Sequence, residues 1–465
     1  MNPSEIETRL DAYIEDNRER FLEELFVFLR QPSISTRDEG MNDCAGLLAR
    51  MMGEVGIDAS VMPTGRHPVV YGEIGTGEGP TVLVYGHYDV QPPEPLDLWT
   101  SPPFEPEIRN GKIYGRGTSD NKAQIFIYLK AVEALRAVTG DVPLNFRFLY
   151  EGEEEIGSPS LKPFVERHRD LLQADLTYFS DSHIHESGRP MLILGLKGMV
   201  YVELTARGAR IDQHSMRATA VPNPAWRLVR ALNAIKGPDE LVRIPGFYED
   251  VRPLTNLERE TIARIPVDEA ALCDFYGIEG LLPGRVEDGY YLNLISEPTC
   301  NIAGIESGYT GDGTKTVLPA VARAKLDMRL VPGQDPEVIF DRLKSHLAAE
   351  GFGDIEVEGF NFLSPSRTPI DHPAVETITG ALRDAYGLEP VVFPGIGGAG
   401  PNYVFAEVLG QPVFLVPHAT HDQANHAPDE SMDLTSFFAG IRTGVRVFPR
   451  LAATLGGARD RSGVS

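Results

Sequence analysis

Residues Leu144 to Ser158 read LNFRFLYEGEEEIGS, an apolar run that passes directly into four carboxylates within five positions. The run up to Tyr150 predicts a buried strand, and Gly152 and Gly157 predict a tight strand-to-helix loop. Ligands of open α/β sheets bind beyond the carboxyl ends of the strands. The stretch therefore predicts an α/β fold with carboxylates at one edge of its sheet. From these residues alone, a plain acidic surface loop is the competing interpretation.

Three further apolar runs end in polar side chains of the same kind. Thr81–Tyr85 is followed by His87 and Asp89, Asp175–Phe179 by Asp181, and Val413–Val416 by the histidine-rich stretch His418–Glu430. A lone histidine at a strand end is usually a satisfied structural residue, but alternate residues share a face, so Asp89 can orient His87. All these strand ends would meet at one edge of the sheet. A functional site therefore explains the polar residues better than a chance abundance of polar residues in loops.

Asp120 lies in the stretch KIYGRGTSDNKAQ, which runs into a predicted helix with a stripe of apolar residues from Ile125 to Leu135. The positive end of a helix favours a carboxylate at its N-terminus. Asp120 is therefore either an N-cap or a carboxylate that bridges two metal ions, and the residues leave both interpretations open.

Composition excludes several classes of function. The 465-residue chain has a formal net charge of -24 and no long basic stripe, so nucleic acid and anionic membranes are not expected as partners. No window approaches eighteen apolar residues, and no leader-like segment is present, so a cytoplasmic location is predicted. Only Cys44, Cys273 and Cys300 occur, which provides neither a disulfide framework nor a thiolate zinc site.

The length predicts two or three domains, and the texture of the sequence divides the chain at two positions. Residues 1–196 alternate predicted helices and strands, and residues 363–465 resume that alternation. Residues 197–362 differ, with a half-exposed strand at Gly198–Ala206, an irregular stretch at Lys236–Pro298 and a long strand at Val321–Leu330. We therefore expect a catalytic domain in two parts, 1–196 and 363–465, with an inserted α/β sandwich domain at 197–362.

The candidate residues at strand ends and loops are imidazoles and carboxylates only: His87, Asp89, Asp120, Glu153, Glu154, Glu155, Asp181 and His426. Such ligands suit Zn²⁺, Mn²⁺ or Co²⁺, and an aspartate shared between two half-sites is what a two-metal hydrolase requires. One glutamate that does not bind metal would then act as general base.

The chain resembles a known family at this level of detail. The motifs GHYDVQPP, YGRGTSDNKAQ, EGEEEIGS, FSD, DQHS, KTVLPA, RLVPGQ and NHAPDE occur in the order found in the di-zinc metallopeptidases that include carnosinases, cytosolic nonspecific dipeptidases, carboxypeptidase G2, aminoacylases and succinyl-diaminopimelate desuccinylase. The resemblance extends over about residues 5 to 450 and is strongest to the carnosinase and nonspecific dipeptidase branch. It implies a mixed, mostly parallel sheet flanked by helices, two bound divalent ions with Zn²⁺ expected first, and a homodimer.

The resemblance assigns five ligands to the two ions: His87 and Asp181 to one, Glu155 and His426 to the other, and Asp120 to both. It implies that Glu154 is the general base and that Asp89 orients His87, and it leaves Glu153 without a task. It also implies a cis peptide bond between Asp120 and Asn121.

The inserted domain resembles the family's dimerisation and lid domain. By resemblance, His214 reaches the partner's active site to stabilise the oxyanion, Arg329 holds the substrate carboxylate, and Thr316 contacts the substrate backbone. Gly398 lies in a substrate-binding stretch, GGAG at residues 397–400, where Ala399 replaces the usual Ser or Thr. HSMRATAV, at residues 214–221, departs from the family's HSGxxGG, so the loop after His214 is expected to have its own shape.

Together with these residues, the resemblance implies a metal-dependent peptidase that hydrolyses dipeptides or short peptides. The alternative on the same scaffold is an amidohydrolase that removes the acyl group from N-acyl amino acids. A protein that binds metal or amino acids without catalysis is disfavoured, because such a relative would be expected to lose the general base and Glu154 is present.

Overall fold

The structure is a computed structural model that describes residues 3–285 and 289–462. The strands, in chain order, are β1 (Asp58–Met62), β2 (Val69–Ile74), β3 (Thr81–His87), β4 (Glu107–Arg109), β5 (Lys112–Tyr114), β6 (Asn145–Glu151), β7 (Leu176–Phe179), β8 (Met191–Ile193), β9 (Gly195–Leu196), β10 (Gly198–Arg207), β11 (Gln213–His214), β12 (Thr299–Ser307), β13 (Val317–Leu318), β14 (Val321–Leu330), β15 (Glu356–Leu363), β16 (Ser366–Arg367), β17 (Val391–Phe393), β18 (Val413–Leu415) and β19 (Ser431–Asp433).

The α-helices are α1 (Pro3–Asp16), α2 (Arg18–Arg30), α3 (Met41–Glu54), α4 (Lys122–Thr139), α5 (Leu161–Arg167), α6 (Arg169–Leu172), α7 (Pro224–Ile235), α8 (Asn256–Ile262), α9 (Glu269–Tyr276), α10 (Tyr290–Ser296), α11 (Pro336–Ala349), α12 (Pro373–Tyr386), α13 (Asn402–Val404) and α14 (Leu434–Ser462). Among the described residues, no helix is both long enough and apolar enough to cross a bilayer.

The largest sheet has the strand order β1-β2-β6-β3-β7-β18-β8-β17. Its central strands β6, β3, β7 and β18 are parallel neighbours, and antiparallel pairs occur between β1 and β2, between β2 and β6, and between β18 and β8. The predicted mixed, mostly parallel sheet is therefore confirmed. Because the four central strands run in one direction, their carboxyl ends lie side by side.

Both faces of this sheet are covered. Val82 and Val84 of β3 belong to a core formed with α1–α4, α12 and α14, whereas Leu83 and Tyr85 belong to a core on the other face with α5 and residues 403–409. Burial of each such apolar side chain contributes about 1.5–3 kcal/mol. The nearly continuous apolar run of β3 is explained by this double coverage.

A second sheet, of order β12-β14-β10-β15, is antiparallel throughout and takes all its strands from residues 198–363. Helices α7 and α11 pack on one face over the alternate residues Val200, Val202 and Leu204 of β10. The other face is partly exposed, as the alternation in the sequence predicted. Strand β12 forms one edge of this sheet.

Two predicted helices differ from the structure. Apolar residues at three- and four-residue steps from Ile6 to Leu29 predict a single helix that begins at Ser4 and is stopped by Pro32, but the structure divides it at Asn17 into α1 and α2. The Tyr13 carbonyl accepts from the Asn17 backbone N–H at 3.2 Å and from the Asn17 side chain at 2.8 Å, so the side chain competes with the helical backbone for this acceptor. The sequence after the acidic loop predicts a helix from about Ser158 to Leu172, whereas the observed helix begins at Leu161 and is interrupted at His168.

Candidate active site

The four central strands of the large sheet bring the predicted residues together. His87 is the last residue of β3, the EGEEEIGS loop follows β6, Asp181 follows β7, and His426 lies in the loop after β18. These elements are neighbours in the sheet, so segments more than 300 residues apart in sequence meet at one edge. The convergence predicted from the sequence is present for the strand-end residues.

Asp120 lies between the two histidines. Its Oδ1 is 3.0 Å from His87 Nε2, and its Oδ2 is 3.0 Å from His426 Nε2. Asn121 is the residue that precedes α4, and no side-chain cap forms there. Of the two interpretations left open for Asp120, the geometry favours a carboxylate that can bridge two cations. The predicted cis bond between Asp120 and Asn121 is present.

Gly86 allows this approach of α4 to β3. A Cβ atom at Gly86 would lie 2.3 Å from Ile125 Cγ2 and 2.9 Å from Asn121 Oδ1. Any larger residue would therefore push away the first turn of α4, and Asp120 with it.

Glu155 and Asp181 complete the cluster. One ligand atom each from His87, Asp120 and Glu155 lie within 4.8 Å of one another. Glu155 Oε2 is 3.3 Å from His426 Nε2, and Asp181 Oδ2 is 3.7 Å from His87 Nε2. Glu155 Oε1 is buried without a hydrogen-bond partner, and His87 Nε2 makes no hydrogen bond of suitable geometry although Asp120 Oδ1 lies 3.0 Å away. Buried polar atoms usually have a hydrogen-bond partner, so these two are suited to bind a cation.

The electrostatics of the cluster also suit cations. Hydrogen bonds to Asp120 and Glu155 raise the pKa of His426 to about 10. Burial raises the pKa of Asp181 and of Glu155, and the nearby Asp120 carboxylate raises each further. Burial, followed by the negative charges of Asp181 and Glu155, raises the pKa of Glu154 well above its usual range, although His87 opposes this. The three carboxylates of Asp120, Glu155 and Asp181, together with two imidazoles, are a donor set for divalent metal ions.

Asp89 contacts both His87 and the loop that carries Glu154 and Glu155. His87 Nδ1 is hydrogen-bonded to the Asp89 backbone carbonyl at 3.0 Å, with the buried Asp89 carboxylate 3.3 Å from the same nitrogen. This carboxylate accepts hydrogen bonds from the backbone N–H groups of Glu154 at 3.2 Å and Glu155 at 3.0 Å. The same carboxylate can therefore orient the His87 ring and fix the backbone of the two glutamates.

Glu153 and Glu151, which had no assigned task, are buried and anchor the ends of the acidic loop. Glu153 accepts from the backbone N–H groups of His67 at 2.7 Å and Ser160 at 3.0 Å. Glu151 accepts from the Tyr85 hydroxyl and from Ser158 Oγ. The run EGEEE is thus divided between carboxylates that hold the loop and carboxylates that face the cluster.

Gln91 also contacts the cluster, and the sequence analysis did not identify it as a candidate residue. Its side-chain amide donates to Glu155 Oε2 at 2.8 Å and so orients this carboxylate. Its position in HYDVQPP, two residues after Asp89, is the only signal that could have indicated it.

The residues predicted to bind the substrate or the oxyanion do not join this cluster. His214 and Thr316 are exposed, and His214 Nε2 lies 3.3 Å from Thr316 Oγ1. Arg329 donates from Nε and Nη2 to the carboxylate of Asp327. The Gly398 carbonyl accepts from the Lys197 N–H at 2.8 Å. None of the contacts recorded for these four among the described residues involves the strand-end residues.

The profile of Peptidase family M20/M25/M40 matches residues 83–452. The chain therefore belongs to this family. It is a metallopeptidase, a hydrolase of peptide bonds.

Known relatives support the branch indicated by the motifs. Beta-Ala-His dipeptidase of Rattus norvegicus is 27% identical over 429 residues, which cover 90% of this chain and 87% of the relative. Cys-Gly metallodipeptidase dug1 of Schizosaccharomyces pombe is 30% identical over 390 residues, or 81% of each chain. The M20 family metallo-carboxypeptidase Sso-CP2 from Sulfolobus solfataricus superposes with a TM-score of 0.86 at 36% identity, covering 93% of this chain and 99% of that one. The resemblance stated from the sequence is confirmed.

Proposed function

We propose that this protein hydrolyses dipeptides at a dinuclear metal centre held by His87, Asp120, Glu155, Asp181 and His426. The observation that carries the proposal is the placement of Asp120, with one carboxylate oxygen 3.0 Å from each histidine. Similarity to a Beta-Ala-His dipeptidase and a Cys-Gly metallodipeptidase supports the substrate class.

Two divalent cations, when bound, would polarise the scissile carbonyl and acidify the attacking water. Glu154 accepts the proton of this water and returns it to the departing amine nitrogen. Asp89 keeps Glu154 in place through the backbone of the loop and holds the His87 ring through its Nδ1 side. His214 of a partner subunit would stabilise the oxyanion, while Arg329, Thr316 and Gly398 would bind the substrate.

The ions would be Zn²⁺ first, with Mn²⁺ or Co²⁺ as alternatives, because the ligands are imidazole and carboxylate without thiolate. We further propose a cytoplasmic homodimer in which residues 197–362 form the inserted dimerisation and lid domain between catalytic parts 1–196 and 363–465. Support for the dimer comes from edge strand β12, where Ile302 and Ile305 are 49% and 57% exposed, and from Trp226 on α7, which is 63% exposed.

The test is activity of chelator-stripped protein, reloaded with each metal ion, on a panel of amide substrates. The panel contains a dipeptide, a tripeptide with the same C-terminal residue, and the N-acetyl derivative of that residue. We expect metal-dependent cleavage with the dipeptide preferred. Preference for the N-acetyl amino acid would indicate the amidohydrolase alternative, and preference for longer peptides would indicate carboxypeptidase activity as in Sso-CP2. Absence of cleavage after reloading would refute the proposal.

A further inference from the structure

The loop that carries His426 has an unusual backbone. Ala424, His426 and Asp429 have φ angles of 54°, 58° and 59°, and none of them is glycine. The left-handed region costs a non-glycine residue about 1–3 kcal/mol, so it persists only where the surroundings impose it. The His426 side chain is 52% exposed, so its own packing does not supply this constraint.

Asp429 supplies one anchor of the loop. Its carboxylate accepts from the Thr100 backbone N–H at 2.9 Å and from Thr100 Oγ1 at 2.6 Å, and it lies 3.3 Å from Arg109 Nη2. These bonds tie the end of the His426 loop to the Pro-rich segment that follows β3.

Glu430 supplies the second anchor, and it reaches Asp120 directly. The fully buried Glu430 carboxylate pairs with Arg116 Nη1 at 2.7 Å. It also accepts from the backbone N–H groups of Gly117, Ser119 and Asp120 at 3.0, 2.8 and 3.0 Å, and from Ser119 Oγ at 2.9 Å. One side chain thus binds the whole segment that ends in Asp120, from a position four residues after His426.

We propose that Glu430 and Asp429 are positioning residues of the metal centre. Glu430 sets the distance between Asp120 and His426, and Asp429 holds only the His426 loop in its left-handed conformation. The inference rests on the proposed dinuclear site. It assigns the two residues different effects, because Asp120 is shared by both ions whereas His426 belongs to one.

A merely structural role is distinguishable from a positioning role. Buried ion pairs contribute little net stability, although breaking one leaves an uncompensated charge. A structural role would lower the melting temperature of the metal-free protein and leave its affinity for metal unchanged. A positioning role changes the affinity, and removal of a residue that orients a ligand typically costs about 10- to 100-fold in metal binding.

The experiment is calorimetric titration of Zn²⁺ into chelator-stripped full-length variants, with the absorption spectrum of bound Co²⁺ as a second measurement. We expect Glu430→Gln to weaken both binding steps by about 10- to 100-fold. Asp429→Ala should weaken one step and leave the other unchanged. Two variants serve as matched controls. Glu258→Gln breaks another buried ion pair, the one between Glu258 and Arg367. Asp422→Ala removes an acidic residue of the His426 loop that is paired with Lys112. Both controls should keep wild-type affinities and spectrum.

Glu430→Gln leaves Arg116 buried without its counter-ion and keeps one oxygen that can still accept from Ser119 and Asp120, so the double variant Arg116→Met/Glu430→Leu is measured beside it. The double variant removes the unpaired charge and still lacks the bonds to residues 117–120, so its affinity for Zn²⁺ should remain low. Wild-type affinity in this double variant and in Asp429→Ala would overturn the inference. Failure of the wild-type protein to take up two metal ions would instead contradict the proposed function itself.

Discussion

The edge of the large sheet and the segment 197–362 carry their candidate residues in different ways. At the large sheet, His87, Asp120 and Glu155 have ligand atoms within 4.8 Å of one another, and the buried Glu155 Oε1 has no hydrogen-bond partner. Within residues 197–362, His214 of the two-stranded pair β11–β13 is exposed beside Thr316, and Arg329 on strand β14 of the inserted sheet is already paired with Asp327.

The difference follows from topology. Parallel neighbours end at the same edge, so residues placed just after each strand converge within one chain. Antiparallel strands of the inserted sheet end alternately at opposite edges, and Arg329 lies on the face that α7 and α11 leave uncovered. We infer that the strand-end residues of the large sheet form a site within one folded chain. We infer that His214, Thr316 and Arg329 act only when a second protein surface, such as that of a partner subunit, packs against them.

Glu154→Gln is expected to have the largest effect among variants at the edge of the large sheet. The change keeps the shape of the side chain and removes the base, so kcat should fall about 10²- to 10⁴-fold while two Zn²⁺ ions still bind. The measurements are steady-state kinetics and metal content. Glu153→Gln, on the neighbouring residue, is the matched control. Unchanged turnover in Glu154→Gln would exclude it as the base.

His214→Ala tests the group formed by His214, Thr316 and Arg329. If His214 stabilises the oxyanion in the partner's site, kcat should fall about 10²- to 10³-fold without loss of metal. Mixing inactive Glu154→Gln and His214→Ala subunits should then restore activity, because a hybrid dimer contains one site with both residues. Met216→Ala, in the same exposed loop, should behave as wild type. A mixture that stays inactive would show that His214 does not act across the interface.

Arg329→Lys should have a smaller effect, on substrate binding. A charge-assisted hydrogen bond contributes about 1.5–3 kcal/mol, and lysine cannot form the bidentate pair, so KM should rise about 10- to 100-fold. The variant should also discriminate less between a dipeptide and its C-terminal amide. Arg323→Lys on the same face of β14 is the control. Unaltered discrimination would remove Arg329 from the carboxylate site.

The smallest catalytic effect is expected for Glu153→Gln. Its carboxylate accepts from two backbone N–H groups, and a glutamine presents one acceptor and one donor instead. The free energy of unfolding should fall by about 1–3 kcal/mol, with little change in kcat/KM, as measured by denaturant titration and kinetics. Glu78→Gln at an exposed position should change stability by about 0.5 kcal/mol or less. A large loss of kcat/KM at unchanged stability would place Glu153 in the active site.

Much of the fold was determined by the sequence itself. Apolar runs such as Thr81–Tyr85 and the alternation of β10 are local patterns, and strands and helices follow from them because each periodicity buries one face or both. Polar residues just after those runs were sufficient to predict that His87, Asp181, the acidic loop and the stretch His418–Glu430 meet at one sheet edge, whereas the bridging role of Asp120 was implied by the resemblance to the family. The break at Asn17 could not be predicted, because it depends on a single competing hydrogen bond.

Only the tertiary structure decided which carboxylates hold the site and which can act in it. Glu430 binds a segment more than 300 positions away, Glu153 binds residue 67, and Gln91 binds Glu155. No periodicity marks such bonds, because both partners lie in loops and their distance is set by the packing of α4, β6 and β18. The run EGEEE shows from its composition that carboxylates are available at this position. Only the folded structure shows which of them anchor the loop and which face the cluster.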